Sequence, residues 1–256
     1  MEKLLVVNKP SGMTPLEAIN KIRYIYPELS QIKIGYAGRL DPLAHGVLVL
    51  MVGEETKKRD TYLSLPKIYE FEVLFGLKTD TYDLLGILED SKIQRTPVNV
   101  NILVNIFVNN HIGFLQQQYP PYSSKTIKGK PLFWWAKNDK LNEIKIPTKK
   151  VEIYEFNCLR FGEIKIIELK HKVYSAIESI HGDFRQETIK KRWEEIFDKM
   201  DRQTLKTAKF RIRCSSGTYV RALVSQLGKE IRCGAVTIDI LRTKVGIYTL
   251  NEAVDI

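Results

Sequence analysis

The stretch Gly35-Tyr36-Ala37-Gly38-Arg39-Leu40-Asp41-Pro42-Leu43-Ala44-His45-Gly46-Val47-Leu48 combines residue types and spacing that could do chemistry. One carboxylate, Asp41, stands between glycines and a proline, and the apolar run Val47 to Val52 follows. Glycine permits a tight turn and close approach to a ligand. Pro42 fixes its own φ and disfavours helix at Asp41. The apolar run is a buried strand or a buried helix segment. Asp41 is therefore expected on a stiff turn anchored in the core, the placement a nucleophilic or basic carboxylate needs. An isolated Gly-x-x-Asp-Pro is more often an ordinary surface turn, so the surrounding elements decide.

Those elements are mixed. Leu4 to Val7 predicts a short strand running into a Lys-Pro-Ser-Gly turn. Thr14, Pro15 and Glu17 predict a helix start: an N-cap, a proline at the first helical position and a capping-box glutamate. Tyr69, Phe71, Val73 and Phe75 alternate as a strand, as do 151–156, 163–166 and 210–214. Residues 98–108 read as helical. Val220, Leu223, Val224, Leu227 and Ile231 share one helical face, with Cys233-Gly234 as the stop. A further helix over 183–200 sets Ile189, Trp193, Ile196, Phe197 and Met200 on one side and looks like an insertion. Strands and helices lack βαβ regularity, so the expected fold class is α+β, a single domain over 1–256 around a mixed, largely antiparallel sheet.

The chain has 256 residues, 44% of them hydrophobic, enough for a substantial core. Forty basic residues against thirty acidic ones give a net charge of +10, which favours a polyanionic partner, nucleic acid before membrane. The excess is clustered: Lys125 to Lys150 carries eight lysines and two acids, and Arg202 to Arg232 eight basic residues and one acid. Three cysteines, Cys158, Cys214 and Cys233, and four histidines show no metal-type spacing, so reduced thiols and no metal or other cofactor are expected. The first motif begins by Asn8, which leaves no expectation of a targeting peptide, and no apolar run approaches the ~18 residues of a membrane span. A cytoplasmic monomer is the expectation.

Several segments together carry a family resemblance. Gly38, Leu40, Asp41, Pro42, Ala44, Gly46 and Leu48 fit a Gly-x-Leu-Asp-Pro-x-Ala-x-Gly-x-Leu pattern. Asn8 to Thr14, Lys67-Ile68-Tyr69 and Gly76 to Asp83 agree in order. So do Gln118 to Ser123 with Gly129 to Leu132, Cys214 to Arg221, and Leu241-Arg242-Thr243. Over roughly positions 5 to 247 the chain resembles the TruB family of tRNA pseudouridine synthases.

That resemblance implies a mixed sheet with the active-site cleft across it, and isomerisation of the TΨC-loop uridine (tRNA position 55) without metal or redox cofactor. It makes Asp41 the catalytic carboxylate. Tyr69 would stack on the flipped base, Tyr219 would handle a proton or contact the site, and Arg221 would pair with Asp41. Leu241 would line the base pocket. Asp80 and Asp83 of the Thr-Asp-Thr-x-Asp motif would organise the cleft. Lys9 and Lys57 match basic positions, as phosphate contacts or motif supports, and Lys125 and Lys130 belong to the basic loop expected on RNA.

The departures also carry information. Tyr36 stands where the family usually has a histidine that helps RNA docking or flipping, so either Tyr36 substitutes for it, as a ring that can stack, or that step changes. Lys125 comes one position before the family's lysine, with Thr126 in its place, and Pro15 replaces a serine. About ten residues follow Val245-Gly246-Ile247-Tyr248, too few for the family's C-terminal PUA domain, which is therefore not expected. Three functions stay open on sequence: a tRNA pseudouridine synthase, a tRNA-folding helper with catalysis secondary or lost, and a synthase acting on another RNA. The 183–200 helix either packs on the sheet rim or adds an RNA contact.

Overall fold

The computed structural model describes residues 3–89, 93–200 and 203–256. Arg202 of the second basic cluster lies outside them. The strands are β1 (Lys3–Lys9), β2 (Ile34–Tyr36), β3 (His45–Val52), β4 (Lys67–Phe75), β5 (Gly113–Gln118), β6 (Thr126–Ile127), β7 (Lys130–Pro131), β8 (Thr148–Lys165), β9 (Thr204–Cys214), β10 (Ala235–Val245), β11 (Tyr248–Thr249) and β12 (Val254–Asp255). The helices are α1 (Pro15–Ile25), α2 (Arg59–Ser64), α3 (Val100–Asn110), α4 (Leu132–Lys137), α5 (Ile166–Glu178), α6 (Gln186–Phe197) and α7 (Val220–Glu230).

Among the described residues one ten-stranded sheet runs in the order β12-β1-β3-β10-β4-β9-β8-β5, with β2 added on β3 and β11 on β10. Of the strand pairs among the described residues, β1–β12 and β3–β10 are parallel and the rest antiparallel. The fold is thus α+β with a mixed, largely antiparallel sheet, as the element pattern predicts.

Local chemistry explains the elements next to the site. Thr14 accepts from the Glu17 amide at 3.2 Å while Glu17 accepts from the Thr14 amide at 2.6 Å, so the capping box starts α1 as its sequence dictates. β3 is apolar from Val47 to Val52, with both faces covered. Leu48, Leu50 and Val52 enter the main core, and Val47, Val49 and Met51 enter a second cluster under β11. β4 alternates instead: Tyr69, Phe71 and Val73 are buried, whereas Glu70 and Glu72 turn to the other face and meet Lys209 and Lys172.

Two expectations are corrected in the second half. The separate strands at 151–156 and 163–166 are one long strand, β8, whose bulges at Ile153/Glu155 and Cys158/Arg160 interrupt the alternation that sequence reading relies on. The lone helix expected at 183–200 is preceded by α5, which β8 enters at Ile166 with no glycine, proline or Asx residue to mark the change. α5 and α6 pack Leu169, Val173, Trp193 and Phe197 with Leu74, Val236 and Ile238 of the sheet. Among the described residues, no helix is long and apolar enough to cross a membrane.

Candidate active site

The loop between β2 and β3 carries Asp41, and its backbone carbonyls are met one after another. Arg242 Nη2 donates to Gly38 O at 3.2 Å, the Ala44 amide to Asp41 O at 3.1 Å, the Gly12 amide to Pro42 O at 2.8 Å, and Ser11 Oγ to Leu43 O at 3.0 Å. Gly38 and Gly46 have φ of +88° and +99°, a region open to glycine and costly for other residues. A Cβ at Gly46 would also stand 2.4 Å from Arg242 O, so β3 and β10 could not approach as they do. The loop is therefore held by its own turn and by donors on two separate segments, Ser11-Gly12 and β10, so its geometry follows that of the structure around it.

Arg221 supplies the partner of Asp41. It sits in the first turn of α7 with its side chain 3% exposed. Its Nε donates to Asp41 Oδ2 at 2.8 Å, Nη2 to Tyr122 O at 3.2 Å, and Nη1 to Thr81 O. Asp83 Oδ2 lies 3.6 Å from the same Nε. A cation at a helix N-terminus works against the helix dipole, and burial works against any charge. Asp41 and Asp83 outweigh both and hold the guanidinium pKa above its usual value. Asp83 is itself buried, which pushes its carboxyl up to about 6 even though Arg221 and the Thr81 hydroxyl pull it down.

Around this pair opens a cleft of about 1130 Å³. Tyr69 and Tyr219 both line it. Burial raises the pKa of each phenol, to about 12 for Tyr219, and the Asp41 charge adds to both shifts. Gln117 of β5 fixes Tyr219 by its peptide, donating to the carbonyl at 3.0 Å and accepting from the amide at 2.7 Å. Phe114, Phe133 and Phe184 line the cleft together with Lys137, Lys149 and Lys150. Basic side chains beside aromatic rings are what a single nucleic-acid strand needs, charge for its phosphates and flat faces for its bases.

A model of the TruB family pseudouridylate synthase N-terminal domain matches residues 27–179. The tRNA pseudouridine synthase B of Lactobacillus gasseri is 34% identical over 254 residues, covering 99% of this chain and 71% of the relative. The chain belongs to the TruB family. The synthases B of Bacillus cytotoxicus (31% identical, 99% of this chain and 69% of the relative) and Thermotoga maritima (27%, 99% and 66%) are also similar. The chain thus spans about two thirds of these relatives' length. The fold matches a chain in the crystal structure of a Cbf5-Nop10-Gar1 complex with a TM-score of 0.59 at 17% identity, covering 99% of this chain and 52% of that one.

Within this TruB-family cleft the sequence-derived residues divide. Asp41, Tyr69, Tyr219 and Arg221 come together. Leu241 does not line the cleft. Its neighbours Ile240 and Arg242 do, and Leu241 lies over Gly46 on the opposite side of β10, because side chains alternate along a strand. Tyr36 is half-buried against the main core beside α1, outside the cleft lining, so it offers no stacking face there. Lys9 is fully buried and donates to Pro10 O, Met13 O and Pro42 O, at 2.8, 2.6 and 3.4 Å. It supports the motif from inside, sealed from solvent; burial and Arg242 lower its pKa to about 7. Lys57 pairs with Glu54 on the surface. Lys125 and Lys130 are exposed beyond the cleft, 5.5 Å from the Tyr119 ring centre and 3.5 Å from that of Trp134.

Two buried cations escaped the sequence reading as site residues, although both fall inside its motifs. Arg242 donates from Nε to Val47 O at 2.7 Å as well as to Gly38 O, and it meets the Tyr69 hydroxyl. Lys67 donates to Leu63 O and Leu65 O at 2.6 Å, and burial lowers its pKa to about 8. The available signal was their place in those motifs: Lys67 stands two residues before Tyr69 on β4, and Arg242 directly follows Leu241 on β10.

Proposed function

We propose that this chain isomerises the TΨC-loop uridine of tRNA, position 55, to pseudouridine, with Asp41 as the catalytic carboxylate. The observation that carries the reading is the 2.8 Å contact between Arg221 Nε and Asp41 Oδ2 at the floor of a cleft walled by Tyr69 and Tyr219. The names of the relatives support tRNA as the substrate.

The reaction breaks an N-glycosidic bond, turns the uracil and joins its C5 to the same sugar carbon. A uridine in a folded loop must leave its stack to reach Asp41. The Tyr69 ring, fixed by Arg242 through its hydroxyl, gives the flipped base a rigid face. The Asp41 carboxylate is available to the sugar or the base, because the Arg221 guanidinium occupies one oxygen and leaves the side chain partly exposed, at 29%. The C5 proton must leave once the new bond has formed. Tyr219, held by Gln117 and with its phenol protonated up to about pH 12, stands where it can contact the turned base.

The test is incubation with an unmodified tRNA transcript and carbodiimide-stop mapping. A single new stop in the TΨC loop, absent with Asp41→Asn while tRNA binding persists, supports the assignment. Turnover by Asp41→Asn would remove Asp41 from the role, and a stop elsewhere would change the substrate position.

A further inference from the structure

Arg185 precedes α6, in the segment that joins it to α5, and adopts the left-handed region with φ +66° and ψ 28°. That conformation is unfavourable for a residue with a Cβ and persists only where surrounding contacts enforce it. Here they do. Arg185 Nη1 and Nη2 donate to Asp80 Oδ2 and Oδ1 at 2.6 and 3.3 Å, and its guanidinium lies 4.4 Å from the centre of the Tyr122 ring. A planar fork that pairs with a carboxylate while stacking on an aromatic ring is specific to arginine.

The two residues it grips belong to the two segments that hold Arg221. Tyr122 O accepts from Arg221 Nη2, and Thr81 O, one residue after Asp80, accepts from Nη1. A second tie joins the same turn to the basic loop: Lys137 Nζ donates to Asp183 O at 2.6 Å and to its carboxylate at 3.1 Å. The α5–α6 pair, anchored by the fully buried Trp193, sets this turn rigidly against the cleft. We propose that Arg185 is a positioning residue, clamping from outside the two backbone segments that lock Arg221 onto Asp41 from inside. Its bidentate pair and its stacked face are already engaged, so it acts through Arg221 rather than on an RNA phosphate.

The proposal rests on the isomerase reading above, and the experiment keeps the two apart. R185G, R185K, D80N and the double variant R185G/D80N are compared in single-turnover rate at saturating enzyme, in tRNA dissociation constant and in urea unfolding. Glycine suits the left-handed position, so R185G removes the fork without straining the backbone. R185G is expected to lower the rate at least tenfold with the dissociation constant within threefold of wild type. R185K should recover part of the loss, and the double variant should be no slower than the slower single variant. An unchanged rate, or a loss confined to the dissociation constant, overturns the proposal; the latter would make Arg185 an RNA contact. Urea unfolding reads the clamp without RNA, so it decides even if the wild type modifies no tRNA. Unfolding constants that are non-additive by about fivefold or more are expected, and additive constants overturn the clamp.

Discussion

Asp83 lies 3.6 Å from the Arg221 nitrogen that holds Asp41. Arg221 is thus shared between a carboxylate that opens on the cleft and one sealed behind it. The sealed one has a consequence for pH. Its folded-state pKa is about 6 against an unfolded value of 3.8, burial being the main cause. Between those values the folded state binds the proton more tightly, so this group's contribution is full below about pH 4 and is lost as pH rises through about 6. A shift of about 2 units corresponds to roughly 3 kcal/mol. Asp83→Asn should therefore gain stability relative to wild type by that order between pH 4 and pH 6, on top of a pH-independent loss from leaving Arg221 one partner short. Urea unfolding of both proteins from pH 4 to 7 reads the difference; a flat difference, or one of opposite sign, would exclude this account of Asp83.

Lys9 makes a separate prediction. Its ammonium meets three carbonyls, one of them Pro42 O in the loop that carries Asp41. Lys9→Met keeps the stem but leaves all three without that donor. With buried unsatisfied groups costing about 1–3 kcal/mol each, and Pro42 O retaining the Gly12 amide, the variant should lose about 3 kcal/mol of stability. Its tRNA affinity at low temperature should stay near wild type, because Lys9 is out of reach of a phosphate. A filter-binding measurement showing a large loss of affinity in folded Lys9→Met would return Lys9 to the RNA interface.

The contrast between Lys9 and Asp41 shows what the sequence could and could not carry. That Asp41, Tyr69, Tyr219 and Arg221 would share one cleft was legible through the family resemblance that their motifs carry. The capping box at Thr14 and the apolar β3 were legible because they are local. Leu241 was misplaced because alternation along β10 turns Ile240 and Arg242 to the cleft and Leu241 to the other side, a phase that the motif alone does not state. Tyr36 was misplaced because its residue type suggested stacking, whereas its position in a three-residue strand puts it against the core. Arg185 was illegible for a different reason: its partner Asp80 is 105 positions away, and only the folded chain joins them.

Tyr69 is tested through its ring. The side chain is 9% exposed and ends at Arg242, so its plane is fixed before a base arrives. Tyr69→Leu removes the stacking face, worth about 1–3 kcal/mol per base, and should slow single turnover by roughly 5- to 150-fold. Tyr69→Phe keeps the face and should lose much less. Equal losses in the two variants would assign the effect to the hydroxyl and its arginine instead of to stacking.

The basic hairpin β6–β7 is a device of the turn it is built on. Lys128 and Gly129, both with positive φ (+48° and +78°), form its two-residue connection, the conformation of a type I′ turn that matches strand twist. The turn throws Lys125, Lys128 and Lys130 into solvent, with Lys130 laid over the Trp134 ring and Lys125 over Tyr119, whose ring meets Tyr219 edge-on at 5.6 Å. Three exposed cations, two of them against aromatic faces and one of those rings in contact with a cleft-lining tyrosine, are placed to meet the RNA backbone as the uridine enters. Replacing them together (Lys125→Gln, Lys128→Asn, Lys130→Gln; asparagine tolerates the left-handed position) removes up to three phosphate contacts. Each contact contributes about 0.7–0.9 to the slope of log affinity against log salt, so the slope should flatten by about 2 units. The rate at saturating enzyme should change much less, because none of the three touches Asp41 or Arg221. Affinity measured from 50 to 300 mM salt decides: an unchanged slope takes the hairpin out of the interface, and a lost rate with an unchanged slope would mean that it acts through Tyr119 on Tyr219.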